Sequence, residues 1–298
     1  MTTAAQQAAQ KNRDTIFVED GEVISSTALP GDQFIMRVRA PKCAAAAKPG
    51  SFAHITCDES LPMRRPLSIM RAQEGWIEIL YKTVGSGLRQ LSRKRPGDTI
   101  SVLGPIGQPF VLSRERPQTV LIGGGVGIPP MVFLADRLRA ERSVFKPLAI
   151  LGSEIPFPFD RVPSSLPTPW LADGINSTMP LLESWGIPCR LATLAGFEGC
   201  FDGFVTDLTE QWLQTLSIEE LGEVELFACG PTPMLRAVAE LAARYELPCQ
   251  VSLEEFMACA VGGCAGCTLP FKTPAGIAMK RVCVDGPVFD AATVVWDY

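Results

Sequence analysis

The sequence predicts a multidomain chain of α/β plus β class: an antiparallel β-barrel, a parallel α/β sheet domain and a small cysteine-rich unit, in that order. Three observations predict it. Short β-rich runs separated by Pro-Gly and Glu-Gly turns fill the first third of the chain. Apolar strand-like runs then alternate with helical patterns through the middle. Four cysteines, Cys259, Cys264, Cys267 and Cys283, finish the chain as C-x4-C-x2-C with the fourth 16 positions on. A length of 298 residues accommodates two or three such units.

Residues 1–14 are Ala/Gln-rich without a clear apolar face and are expected to form a flexible tail. Residues 15–114 hold the barrel runs F-I-M-R-V-R-A, F-A-H-I-T-C, W-I-E-I-L-Y-K and D-T-I-S-V-L-G, each of strand length. Residues 115–250 change period. T-V-L-I-G-G-G reads as a buried strand entering a glycine turn, and M-V-F-L-A-D-R-L-R-A has helical spacing. P-L-A-I-L-G and V-E-L-F-A-C-G are later strands, and M-L-R-A-V-A-E-L-A-A-R-Y is a later helix. Residues 154–180, with six prolines and little periodicity, are expected to be an ordered surface insertion. Residues 251–298 make the third unit, too small to fold well without a metal.

The net charge of −5 and pI near 5.1 argue against a nucleic-acid partner, which needs clustered Lys and Arg. No apolar run reaches the length of a membrane span; the longest, 120–135, is interrupted by four glycines and by Pro129 and Pro130. The first 30 residues lack the apolar core of a secretory signal, so a cytoplasmic location with reduced thiols is expected. The other six cysteines are scattered and read as small buried side chains.

The spacing of the four C-terminal cysteines is that of a plant-type [2Fe–2S] ligand set, in which each of two irons takes two thiolates. A short loop that supplies three sulfurs must turn sharply, and Gly262, Gly263 and Gly266 are expected to permit this through positive φ and close backbone approach. Zinc and inert thiols are the other readings. Zinc sites are commonly built from C-x2-C pairs, and only Cys264 and Cys267 have that spacing. A Rieske centre needs two histidines, and the chain has only His54.

Two further patterns point to phosphate-bearing ligands. Arg65-Pro66-Leu67-Ser68, preceded by Arg64, ends a predicted barrel strand: Pro66 fixes the turn, Arg65 offers a planar fork to a pyrophosphate, and Ser68 can bond a flavin ring edge. Y-K-T-V-G-S-G-L follows, with Gly85 and Gly87 placed to let amides approach a phosphate. Alone, the first is an exposed basic turn and the second a tight turn; together within one barrel they reinforce each other. The run from Gly123 to Pro130 contains Gly124, Gly125 and Gly127 between a strand and a helix. It matches neither G-x-G-x-x-G nor a P-loop, yet its glycine turn and helix N-terminus suit a dinucleotide pyrophosphate as well as a plain strand–helix connection. Cys229 and Gly230 end a later strand at the same sheet edge, where ligands bind in such sheets.

The whole pattern, R-P-L-S in a barrel, G-G-G-x-G-x-P-P and C-G-P in an α/β domain, then the M-A-C…C-x-x-C…C-x-D-G-P-V-F ending, resembles the ferredoxin–NADP reductase superfamily. It is most similar there to electron-transfer subunits of class 1B dihydroorotate dehydrogenases, from about residue 15 to 292 and outside the insertion. The resemblance implies FAD in the barrel, contacted by Arg65 to Ser68, by Leu80, Tyr81 and Lys82, and by Gly87 and Leu88. It implies a [2Fe–2S] cluster on the four cysteines and NAD(P)H on the α/β domain, with Gly230 near the nicotinamide. It also implies a partner subunit carrying FMN, in a heterotetramer of pyrimidine biosynthesis that oxidises dihydroorotate to orotate. No side chain is then needed for covalent acid–base work, in keeping with the single histidine.

The chain departs from the family pattern in three places. Ala260 stands where glycine is usual, which a negative φ would accommodate; Leu88 replaces a threonine; and the strand after Ile150 enters the insertion rather than a compact adenosine-binding turn. Electron-transfer subunits of transhydrogenase, hydrogenase or sulfite reductase type share the architecture, and a non-catalytic partner-binding module with a decayed nucleotide site is the remaining alternative.

Overall fold

Alternation of apolar and polar residues along six strands closes the barrel. In the computed structural model, which describes residues 15–297, β1 (Phe17–Leu29) and β2 (Gln33–Arg39) precede a short helix, α1 (Pro41–Ala46). β3 (Phe52–Ile55), β4 (Arg65–Gln73), β5 (Trp76–Lys82), helix α2 (Gly85–Leu91) and β6 (Thr99–Ile106) follow. The strands close in the order β1-β2-β5-β4-β3-β6, every pair antiparallel. Met36, Val38, Ile55, Ile69, Ile77, Ile79 and Val102 fill the interior, completely shielded from solvent. Closure removes the open edges that a six-stranded sheet would present. The expected tail, 1–14, lies outside the described residues.

β7 (Gln118–Gly124) begins the second layer and runs through a 3-10 turn, Gly125–Gly127, into α3 (Ile128–Leu138). Proline at the start of α3 costs nothing, because the first-turn amides have no intrahelical partner. β8 (Lys146–Gly152), the two-residue strands β9 (Val162–Pro163) and β10 (Ser177–Thr178), and α4 (Pro180–Ser184) come next. β11 (Cys189–Thr193), β12 (Phe201–Asp202), α5 (Val205–Leu213), α6 (Ile218–Leu221), β13 (Val224–Cys229), α7 (Thr232–Arg244) and β14 (Cys249–Ser252) complete the set. The sheet order is β12-β11-β8-β7-β13-β14, all parallel. Its central strands β8 and β13 are largely apolar, as burial on both faces favours, with Lys146 at the open start of β8 and Glu225 the charged exception in β13. The register sets Gly124 beside Gly152 and Cys229 beside both Gly123 and Ser252, so these strand ends share one edge.

The C-terminal segment is sewn into this sheet. A hairpin, β15 (Thr268–Thr273) and β16 (Gly276–Arg281), leads to β17 (Val288–Asp290), which pairs antiparallel with β14 and extends the sheet to seven strands. The Phe271 and Phe289 rings meet at 4.3 Å, tilted by 38°, which joins the hairpin to the sheet through an aromatic contact. The proline-rich insertion is ordered by side-chain packing with little secondary structure. Phe157 is buried against Phe159 and Phe197 at 5.4 and 6.2 Å, and β9 and β10 form its only ladder among the described residues. The Gln33 amide donates to Pro156 O and Pro30 O at 2.8 Å each, pinning the insertion to the barrel.

Candidate functional site

A single cleft of about 1070 Å³ lies where the barrel, the sheet edge and the cysteine loop meet. Its volume is at the upper end for small-molecule pockets, about 300–1,000 Å³, as a dinucleotide-sized ligand requires. β4 contributes Arg65, Pro66, Leu67 and Ser68; the end of β5 contributes Leu80, Tyr81 and Lys82; α2 contributes Gly85 and Leu88. The structure thus brings together nearly all the barrel residues that sequence reasoning named. Gly87 is buried just behind them. A Cβ there would come within 3.1 Å of Arg65 Nε, so the absent side chain makes room for the guanidinium.

The neighbouring arginines divide the work. Arg64 donates to His54 O, Ser101 O and Ser101 Oγ at 3.1, 3.0 and 2.9 Å, which ties it to the barrel wall. Arg65 spends one terminal nitrogen on Met63 O and Arg64 O and leaves the rest of its fork to the cleft. An apolar floor of Pro66, Leu67 and Leu80 beside two cations, Arg65 and Lys82, fits a flat ring system carrying a pyrophosphate. Leu88 provides apolar contact where the family pattern has a hydroxyl, and α2 has no side-chain cap on its first turn. His54 is buried in β3, and that burial, with Arg64 and Arg65 nearby, lowers its pKa and keeps it neutral.

Residues 253–267 form neither helix nor strand and carry three of the cysteines. The four thiols lie near one another: Cys259 interacts with Cys264, whose amide donates to Cys259 Sγ at 3.4 Å, and buried Cys283 interacts with buried Cys267 and with Cys259. Among the described residues no group of three or more His, Cys, Asp or Glu converges on one metal position. A plant-type two-iron cluster takes four thiolates at this spacing, two to each iron. Burial raises the Cys259 thiol, but the amides of Cys264, Val261 and Gly263 outweigh it and hold it at about 7. Burial, then Cys267, pushes Cys283 up to about 12, so a metal there must displace a firmly held proton.

The loop's turns differ from expectation. Gly262 takes a positive φ of +79°, but Gly263 and Gly266 do not; the other left-handed residues are Ala260 at +56° and Ala265 at +54°. The negative φ that would have accommodated Ala260 is therefore not the one found. The methyl is instead buried in the core, 1% exposed, which offsets part of the conformational cost. Arg281 straps the loop: its guanidinium donates to Gly262 O at 3.1 Å and pairs with Asp285.

At the sheet edge, Gly124, Gly127, Cys229 and Gly230 are buried, and Gly125 and Val126 are partly open. A Cβ on Gly127 would lie 2.2 Å from Cys229 O, so Gly127 serves the close approach of the α3 turn to β13. Gly125, with φ of +55° and open space at its Cβ position, is the glycine left facing outward. Burial drives the Cys229 thiol far above its usual range and makes it inert near neutrality. None of these five lines the large cleft; Val126 does.

Sequence reasoning missed the far wall. Ser252, Glu254, Glu255, Phe256 and Met257 line the cleft, as does Gly266 of the cysteine loop. Glu254 is exposed on the wall of the cavity. The signal available was S-L-E-E-F between the last parallel strand and the first cysteine, but nothing local aims it at the barrel.

Three comparisons bear on this geometry. A family profile described as the iron–sulfur cluster binding domain of dihydroorotate dehydrogenase B matches residues 254–295. The chain is 32% identical over 250 residues to a protein of Caldanaerobacter subterraneus named dihydroorotate dehydrogenase B (NAD(+)), electron transfer subunit, covering 83% of this chain and 87% of that one. The protein of the same name from Desulforamulus reducens is 31% identical, covering 94% and 99%. Among solved structures, an NADH-dependent reduced ferredoxin–NADP oxidoreductase studied for flavin-based electron bifurcation superposes with a TM-score of 0.74 at 26% identity, over 94% of this chain and 91% of that one. Phthalate dioxygenase reductase, at 16% identity and a TM-score of 0.54, shares the fold. A relative above 30% identity aligned along nearly its whole length fixes the assignment: the chain belongs to the family of dihydroorotate dehydrogenase B electron-transfer subunits.

Proposed function

We propose that this chain is an iron–sulfur flavoprotein that passes electrons between NAD(P)H and an FMN-containing dihydroorotate dehydrogenase subunit, through FAD and a [2Fe–2S] cluster. The observation that carries the reading is the single cleft whose walls include both the barrel motif, Arg65 to Ser68, and Gly266 of the cysteine loop. A ligand seated there touches the cluster-bearing segment directly.

The assignments by residue belong to this proposal. Residues 15–114 hold FAD, 115–250 receive the nicotinamide nucleotide, and 251–298 carry the cluster on Cys259, Cys264, Cys267 and Cys283. Arg65 and Lys82 neutralise the FAD pyrophosphate; Ser68 and Glu254 face the ring; Gly125 and Gly230 border the nucleotide path. When bound, flavin and cluster supply the conversion between two-electron and one-electron transfer. The protein's task is to orient them, exclude water and set potentials. The amides of Cys264 and Gly266, each 3.4 Å from a cysteine sulfur, stabilise added negative charge there.

Phe256, 94% exposed, and Val261, half exposed, give the cysteine loop an apolar face suited to a partner subunit. We place the assembly, a heterotetramer, in the cytoplasm. No described helix is long and apolar enough to cross a membrane. Co-expression with the FMN subunit tests the reading: dihydroorotate should bleach the flavin and cluster bands of this chain only in the complex. Absence of a stable complex, or of any bleaching within one, would contradict it. The likeness to the bifurcating oxidoreductase supports a second reading, a transhydrogenase-type subunit, in which reduced ferredoxin and not dihydroorotate reduces the chain.

A further inference from the structure

A second cavity, of about 360 Å³, lies at the opposite edge of the parallel sheet. Lys146 at the start of β8 and Arg142 just before it supply two cations. Trp170 of the insertion and Trp212 of α5 supply two indoles, and Pro167 and Pro188 complete the walls. Seven-residue strands separate this edge from the large cleft, roughly 20 Å at the usual rise per residue, so the two cavities are distinct.

The charge around this cavity is unbalanced. No carboxylate is among its lining residues, and Lys146 makes no ion pair among the described residues. Arg142 donates only to a carbonyl, Gly186 O. Close by is a third cation. Arg190, two residues from Pro188, is 2% exposed and donates to Cys189 O and to Leu166 O, each at 2.7 Å, with Leu166 adjacent to Pro167. Its Nε has no partner. Glu183, held by Ser164 and Ser165, balances part of its charge without forming a direct ion pair. A buried guanidinium that is only partly balanced is costly, and an anion nearby would offset the remainder. The indoles and prolines add flat apolar walls, on which an aromatic ring packs better than a hydrated inorganic ion does.

We infer that this cavity binds a planar aromatic anion: one ring of nucleobase size carrying a negative group, with the ring against Trp170 and Trp212 and the charge toward Lys146 and Arg142. Because the insertion forms one wall, occupancy would stiffen that segment, which is pinned to the barrel at Pro156. The inference is independent of the electron-transfer reading.

The test is calorimetry with tryptophan fluorescence on the full chain holding its flavin and cluster, using three probes. Orotate carries ring and charge, uracil the ring alone, and inorganic phosphate the charge alone. The expected result is saturable orotate binding with indole quenching, about tenfold or more tighter than either control. Lys146→Glu should weaken it about tenfold, and Trp170→Leu should remove most of the quenching, both with unchanged visible spectra. Lys146 is exposed and Trp170 half-buried, and the unchanged spectra separate loss of binding from loss of fold. No saturation by orotate at about 10 mM would overturn the inference. So would phosphate or uracil binding as tightly as orotate, or orotate binding that both variants leave intact.

Discussion

Ala260 shows how one side chain carries opposing terms. A left-handed φ costs an alanine roughly 1–2 kcal/mol, and burying its methyl returns about 0.8 kcal/mol. Ala260→Gly should therefore change stability by less than about 1 kcal/mol, since glycine removes the strain, loses the methyl and adds unfolded-state entropy. Ala260→Val places a β-branched side chain at a φ such residues avoid. It should lower the iron content of the purified protein markedly; iron and sulfide assays check this. Arg65 offers a second residue-scale expectation. Only one of its terminal nitrogens is committed to the protein, so Arg65→Ala should weaken FAD binding by about 10–100-fold, equivalent to one lost charge-assisted bidentate contact. Equilibrium dialysis of the flavin would detect it, and unchanged affinity would remove Arg65 from the site.

Elements explain why some of this was legible in the sequence and some was not. The R-P-L-S run, the Gly85–Gly87 run and the cysteine spacing are patterns readable from short stretches of sequence, and the structure sets the first two in one cleft. The sequence predicts that R-P-L-S ends a strand in a turn, but it opens β4 and pairs with β3 instead. Ser252, Glu254 and Phe256 reach that cleft only because β14 lies beside β13 and is then clamped by β17, a pairing between distant segments. Arg281 likewise meets Gly262 through the hairpin. The glycine turn before α3 was legible as a turn, but its closest contact is with Cys229 O. Gly127→Ala would force that contact apart at a cost of about 1–3 kcal/mol. A Tm loss of about 2–4 °C per kcal/mol follows for a chain of this size; an unchanged melt would mean that the turn relaxes freely.

The insertion makes a pH-dependent prediction at the same scale. Burial pushes the Glu183 carboxyl up, but the Ser165 hydroxyl and amide, the Ser164 hydroxyl and Arg190 outweigh it and hold it below the usual carboxylate range. A depressed folded pKa contributes stability that is fully present above the unfolded value, about 4.3, and is lost as pH falls through the folded value. Glu183→Gln should thus melt below the wild type at neutral pH, and the gap should close in acid. A gap independent of pH would assign the effect to packing.

At the scale of the whole molecule, barrel, sheet and cysteine loop meet in one cleft; under the proposed function this sets a two-electron site next to a one-electron site. Cys267→Ser removes a buried ligand candidate and should abolish the cluster bands while the flavin bands remain, because the barrel residues Arg65 to Ser68 do not depend on that loop for their fold. The most direct measurement is an anaerobic NADH titration of the purified chain followed by visible absorption. The account predicts that flavin and iron–sulfur bands both bleach, and that the cluster bands of an apo-flavin preparation do not. Both bands present yet unmoved by NADH and NADPH would contradict nicotinamide-linked electron transfer, as would cluster reduction that persists without flavin.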